Sequence, residues 1–156
     1  MIHGIHHVAL ATPDTSVLLA FYTRLMGFEV VASGKWEQGS RSLDAMTGLQ
    51  DSAADYHVLR LGSSYLELFR YRNPETLAAV ERRQVSKQGI THFCLQVTDI
   101  EAEYARLAAE GMHFHAAPEP YVEGMRHRAV YGRDPDGNVI ELLEIIMQPH
   151  PFGMRI

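Results

Sequence analysis

Shifting the sequence by 85 positions lays ITHFCLQVTD (90–99) over IHHVALATPD (5–14), so that Ile5, His7, Leu10 and Asp14 meet Ile90, His92, Leu95 and Asp99. A chain that repeats itself at such a spacing is expected to be two copies of one supersecondary unit, a tighter restriction than composition imposes. Both segments are apolar runs of strand length. Each is followed by an aspartate suited to cap a helix, Asp14 before TSVLLAFYTRLM and Asp99 before IEAEYARLAAEG, and both helical patterns stop near a glycine, Gly27 or Gly111. A second match, at an offset of 74, pairs YLELF (65–69) with VIELL (139–143), each on a strand that follows a turn, LGSS or DPDGN. The offset falls because the first half is about eleven residues longer between its helix and its last strand. That extra length is assigned to SGKWEQGSRSLDAMTGLQDSA (33–53), a loop expected to hold a short helix and to cover a site.

Each half therefore reads as a strand, a helix and three strands: 4–11, 14–26, 28–37, 54–61 and 64–71, then 89–97, 99–110, 113–117, 126–133 and 138–145. With 156 residues the expectation is one domain, 1–156, made of two modules, about 1–72 and 89–147. The intervening 73–88 reads as a linker with a helical middle, and the last residues, PHPFGMRI, as an irregular tail suited to a dimer contact. A formal charge of -5, with the arginines scattered, offers no basic stripe for a phosphate backbone, so nucleic acid is not an expected partner. No segment approaches the roughly 20 apolar residues of a membrane span, and MIHGIHHVALATPD has no secretory pattern, so the expected location is the cytoplasm with no membrane partner. The single cysteine, Cys94, rules out an intramolecular disulfide and any multi-cysteine metal site.

Besides symmetry, the repeat makes equivalents of His7 and His92 on the first strands, and of Glu67 and Glu141 on the last. A strand histidine alone is ordinarily a structural or surface residue, and Glu67 between Leu66 and Leu68 fits a solvent-facing alternation as well as it fits a ligand. Recurrence of the same residue types at equivalent places in both halves is what a bland surface has no reason to produce. Two imidazoles and two carboxylates suit one divalent ion, Zn, Ni, Co, Mn or Fe, with coordination positions left for water or substrate. Of the nine histidines, His3, His6, His57, His113, His115, His127 and His150 lack such partners and read as structural or exposed. His6, next to His7, is expected on the opposite strand face. Cys94, two residues beyond His92, is expected as a buried small hydrophobe on the histidine's face. The same alternation places Ile5 and Ala9 beside His7, Tyr65 and Phe69 beside Glu67, Gln96 beside Cys94, and Val139 and Leu143 beside Glu141. A substrate pocket is expected to draw on Phe69, Cys94, Leu143, Arg126 and Arg128. The two arginines alternate on one strand and suit a carboxylate or phosphate, although an exposed edge strand explains them equally.

HHVAL, the following helix with FYTRLMGFEV, then LELF, HFCLQV and GRDPDGNVIELLE, in this order, resemble the vicinal oxygen chelate superfamily, which includes glyoxalase I, epimerases, extradiol dioxygenases, and fosfomycin and bleomycin resistance proteins. The resemblance covers nearly the whole chain. It implies an α+β fold in which tandem βαβββ modules form a curved, incompletely closed mixed β-barrel with helices outside, usually as a homodimer. It also implies metal ligands at His7, Glu67, His92 and Glu141, a set similar to that of bacterial glyoxalase I. The implied activity is that of a metal-dependent lyase or isomerase, rearranging a small carbonyl substrate through a metal-bound enediolate with Glu67 or Glu141 as the base. The alternatives are an extradiol-type dioxygenase of an aromatic catabolite, which uses two histidines and one glutamate, and a non-enzymatic ligand-binding or resistance protein of the same fold. The 33–53 insertion and a rather apolar lining depart from a glutathione enzyme, and a hydroxy acid, an acyl-CoA or an aromatic compound fits equally.

Overall fold

The computed structural model describes residues 1–79, 81–151 and 153. It divides into two compact units, Met1–Val80 and Glu81–Ile156. The architecture is α+β, with one mixed four-stranded sheet in each unit and neither sheet closed on itself.

In the first unit β1 (His7–Ala11) leads into α1 (Thr15–Ala20), a π-helical turn (Phe21–Leu25), β2 (Glu29–Trp36), α2 (Arg41–Thr47), β3 (Ala53–Leu61) and β4 (Ser64–Asn73). Asp14 caps α1 as its position foretells, accepting from the Ser16 amide at 2.8 Å and the Ser16 hydroxyl at 2.6 Å. The expected helix over 14–26 changes pitch at Phe21, and the turn closes with Met26 donating to the Phe21 carbonyl at 3.3 Å. The strand order is β1-β4-β3-β2, with β1 parallel to β4 and the other pairs antiparallel. The first and last strands of the unit are thus neighbours. One face of β4 carries Leu66 and Leu68, both almost fully buried with Leu18 and Tyr22. Burying each such side chain contributes roughly 1.5–3 kcal/mol.

The second unit repeats the plan with β5 (Phe93–Val97), α3 (Ile100–Ala109), β6 (His113–Phe114), β7 (His127–Arg133) and β8 (Val139–Ile145), in the order β5-β8-β7-β6. Asp99 caps α3 through the Ala102 amide at 3.1 Å, and Gly27 and Gly111 follow their helices with positive φ (76° and 93°), where a side chain would be strained. The DPDGN turn is tied by the buried Asp134, whose carboxylate accepts from the Asn138 amide and side chain, both at 2.8 Å. This fixes how β8 starts, and with it the register of Glu141.

The helical middle expected for 73–88 does not form among the described residues of that stretch. Leu77 and Val85 are 76% and 37% exposed, and a short helix with no buried face lacks the packing that would hold it. Phe152 and residues 154–156 of the expected dimer-contact tail lie outside the described residues. No helix among the described residues is long and apolar enough to cross a membrane.

Candidate functional site

In the β1–β4 pair His7 lies opposite Tyr65 and Ala9 opposite Glu67. In the β5–β8 pair Phe93 lies opposite Ile140 and Cys94 opposite Glu141, so His92, one residue before β5, stands where Val139 would face it. In both units the glutamate is therefore two residues beyond the histidine's partner position. Side chains two apart on a strand share a face, so the register brings imidazole and carboxylate together across adjacent strands. His7 Nε2 is 3.5 Å from Glu67 Oε2, and His92 Nε2 is 2.9 Å from Glu141 Oε2.

The second nitrogen of each imidazole is also engaged. His92 Nδ1 lies 2.8 Å from the Thr91 hydroxyl, and His7 Nδ1 lies 3.0 Å from His6 Nδ1. A histidine held through Nδ1 presents Nε2 in a set direction, the arrangement that orients metal-binding imidazoles. His6 is not on the opposite face as expected: its ring stacks on Tyr65 at 4.7 Å, because it precedes the strand and is not bound by its alternation.

The surroundings of the two pairs differ. Beside Glu67 the neighbouring strands place Ala9 and Val58. Farther along the same face Phe69 belongs to an aromatic cluster with Trp36, Tyr56 and Tyr71, their ring centroids 5.8–6.3 Å apart. Of this cluster the sequence reading named only Phe69. Trp36, Tyr56 and Tyr71 emerge once the β2–β3–β4 register is known, since Ala54 pairs with both Trp36 and Tyr71, and Tyr56 with Phe69.

Beside Glu141 stand Cys94 and Tyr131, its partners on β5 and β7. Tyr131 also lies against the His92 ring at 4.8 Å. Cys94 is exposed, which corrects the expectation of a buried hydrophobe. Its edge strand leaves the residue open to solvent, yet the surrounding protein and the Glu141 carboxylate push its thiol up to about 12, so it stays a neutral thiol. Burial, and then the Glu141 charge, raise the Tyr131 phenol as well. Leu143 is buried, two residues beyond Glu141.

The two arginines do not act together. Arg128 is buried, 7% exposed, and faces away from Tyr131 and Glu141. It is paired with Glu101 of α3 and lies 3.6 Å from Glu144, while its Nε and Nη2 donate to the Glu119 carbonyl at 3.0 and 2.6 Å. Its expected role in a substrate pocket is thereby corrected: strand alternation turns it toward the helix side, where it ties α3 to the sheet. Arg126 is exposed, lies just outside β7 and donates to the Pro149 carbonyl at 2.6 Å. Among the described residues no group of three or more His, Cys, Asp or Glu side chains is gathered for a metal ion, so each pair stands as a two-donor contact within its own unit.

Comparisons with known proteins agree with this plan. A 2-epi-5-epi-valiolone epimerase of an Actinomyces species is 32% identical over 91% of this chain and 79% of its own. A lactoylglutathione lyase of Pseudomonas putida is 27% identical over 94% of this chain and 86% of its own. Among solved structures, a glyoxalase family protein of Bacillus cereus superposes with a TM-score of 0.81 at 21% identity, covering 94% and 97% of the two chains. The fosfomycin resistance protein FosX of Listeria monocytogenes, solved with Mn(II) and sulfate, does so with a TM-score of 0.61 at 17% identity over 95% and 97%. With two modules in one register, each pairing its first and last strands, and with residues 4–142 matching its family model, this chain belongs to the Glyoxalase/Bleomycin resistance protein/Dioxygenase superfamily.

Proposed function

We propose that the protein is a metal-dependent isomerase or lyase that relocates a proton on the carbon beside a substrate carbonyl, with His7, Glu67, His92 and Glu141 holding one divalent ion. The observation that carries this reading is the recurrence of one His–Glu contact, in one register, in both units. The donor spacing fits. Ligand atoms about 2.0–2.2 Å from one metal, at tetrahedral or octahedral angles, stand roughly 2.8–3.6 Å apart, and the two contacts measure 3.5 and 2.9 Å. Two donors alone hold an ion weakly, so both half-sites are required. When bound, the ion supplies a Lewis acid that polarises a carbonyl and acidifies the neighbouring C–H.

The chain's own groups divide the remaining work. Glu141 is flanked by the Cys94 thiol and the Tyr131 phenol on the adjoining strands, polar groups suited to steady a carboxylate where it is. Glu67 has Ala9 and Val58 on its flanks and is the freer of the two to carry the proton between carbons. We assign it as the base. An epimerase and a lactoylglutathione lyase among the relatives support an isomerase or a lyase.

The test is elemental analysis of native protein beside His7→Ala and Glu141→Ala, together with deuterium exchange from solvent into a hydroxyketone. One divalent metal per chain, lost in both variants, and exchange catalysed only by metal-loaded protein are expected. Native protein that takes up no metal after reconstitution overturns the reading.

A further inference from the structure

The insertion that lengthens the first unit is built around the ring of Trp36. The Trp36 indole N–H donates to the Ser52 hydroxyl at 3.1 Å, and that hydroxyl donates to Asp44 of α2 at 2.7 Å. Asp44 also accepts from the Ser52 and Asp51 amides at 2.8 and 2.9 Å, and Asp51 in turn accepts from the Gly39 amide and the Gln38 side chain at 3.0 and 3.1 Å. Ser52 is fully buried. From the other side, Arg72 donates to the Trp36 carbonyl at 2.7 Å. The tryptophan is thus clamped at its backbone and at its ring nitrogen.

Its neighbours are placed with equal care. A Cβ on Gly34 would stand 2.6–2.8 Å from the ring and hydroxyl of Tyr56, so only glycine lets that ring lie across β2 toward Trp36 and Phe69. Tyr71 stacks on Phe69, with centroids 5.9 Å apart. These half-buried rings lie on the sheet face that also carries His7 and Glu67, opposite the face covered by α1. The cations beside the wall are engaged: Arg72 with Glu37 at 2.7 Å and Asp55 at 3.4 Å, and Lys35, next to Trp36, with Glu37 at 3.4 Å. A rigid aromatic wall whose neighbouring cations are already paired recognises flat C–H surface rather than carboxylates.

We propose that Trp36, Tyr56, Phe69 and Tyr71 form the binding wall for the ring of an uncharged cyclic hydroxyketone, and that Asp44 and Ser52 are positioning residues that hold Trp36 against it. This rests on the proposed function and narrows its substrate class from any small carbonyl to an alicyclic one, disfavouring the charged tail of a glutathione adduct, with its two carboxylates and one ammonium. Among the described residues of the second unit the connection between β6 and β7 holds no helix, and no four-ring cluster stands beside Glu141.

Trp36 is the protein's only tryptophan, so its emission reports directly on the wall. Full-length protein is titrated, metal-loaded and metal-free, with 2-hydroxycyclohexanone, with hydroxyacetone as the acyclic analogue, and with S-lactoylglutathione. The expected result is a saturable change in emission with the cyclic ketone and an apparent Kd at least about tenfold lower than for hydroxyacetone, a gap of about 1.4 kcal/mol. Ser52→Ala and Asp44→Asn are expected to lower the anisotropy of Trp36 emission and weaken cyclic-ketone binding while metal content stays unchanged. Phe69→Leu, which leaves the clamp intact, should weaken binding without that loss of anisotropy. S-lactoylglutathione binding tightest, equal affinities for the two ketones, or emission that follows protein concentration alone, as it would if a second copy covered the wall, each overturn the proposal. Cyclic-ketone binding by a protein that takes up no metal would leave the wall standing and remove only the catalytic reading.

Discussion

In the first unit the strand pair carrying His7 and Glu67 runs into an aromatic cluster that a 33–53 insertion fastens in place, whereas in the second the pair of His92 and Glu141 is flanked by a thiol and a phenol. The backbone plan is common to both: parallel first and last strands, the same two-residue stagger between histidine and glutamate, and a helix capped by aspartate. Two copies that agree in register yet differ in lining have divided their duties. Under the proposed function, what must remain equivalent is the placement of one imidazole and one carboxylate. What is free to diverge is what each unit sets beside them, hydrophobic surface in one and hydrogen-bond donors in the other.

The comparison breaks most sharply at the two glutamates. If Glu67 carries the proton and Glu141 is held by its neighbours, the isosteric variants separate. Glu67→Gln, whose amide oxygen can still act as a donor, is expected to retain much of the metal and lose about 10²–10⁴-fold in kcat, while Glu141→Gln is expected to lose metal first and activity as a consequence. Metal titrations beside kcat for both variants decide it. Equal behaviour of the two would mean that the flanking residues do not rank them.

A smaller effect separates the units in stability. In the second, the guanidinium of Arg128 is buried among Glu101, Glu144 and the Glu119 carbonyl, and it is the tie between α3 and the sheet. Arg128→Ala leaves Glu144 with the Asp99 amide but without its counter-charge, leaves the Glu119 carbonyl without the guanidinium, and opens space, an expected loss of about 2–4 kcal/mol in urea unfolding. In the first unit Arg60, paired with Glu29 at the surface, is expected to shift the urea midpoint far less when replaced. A loss at Arg60 as large as that at Arg128 would contradict the assignment of the buried tie to the second unit.

The parts of this fold that the sequence made legible are those governed by local rules. Asp14, Asp99, Gly27 and Gly111 mark helix ends because capping and left-handed backbone depend on the residue itself, and α2 falls within the insertion where a short helix was expected. Alternation also put Phe69 on the face of Glu67. It failed at Arg128 and His6 for different reasons. The expected strand over 126–133 lacked the information to say which face α3 would cover, and His6 stands just before β1, where pleating no longer dictates direction. The aromatic wall was beyond reach because Trp36, Tyr56 and Tyr71 sit on three strands, and only the pairings among them, including the shift between Ala53 and Ala54, bring the rings together. Cys94 was misjudged because apolar neighbours in sequence say little about an edge strand's exposure.

The smallest effect compares the two caps. Asp14 accepts both the amide and the hydroxyl of Ser16, and that hydroxyl hydrogen bond, followed by the amide, holds its carboxyl below the usual carboxylate value. A carboxyl whose folded pKa lies below its unfolded value of about 3.9 adds stability that is fully present above that value and fades as pH falls through the folded one. Asp14→Ala is therefore expected to lower the urea midpoint modestly at pH 7, and the gap from the parent protein should narrow as pH drops below about 4. The Asp99 carboxylate accepts from the Ala102 amide and the residue sits at φ 56°, a backbone conformation that costs an aspartate something to adopt. Asp99→Gly relieves that strain while losing the hydrogen bond, so its midpoint at pH 7 should shift less than that of Asp14→Ala. A penalty at Asp14 that persists unchanged at pH 3 would mean that its cap does not depend on the ionised carboxylate, and the two helix starts would then be equivalent in physics as well as in sequence.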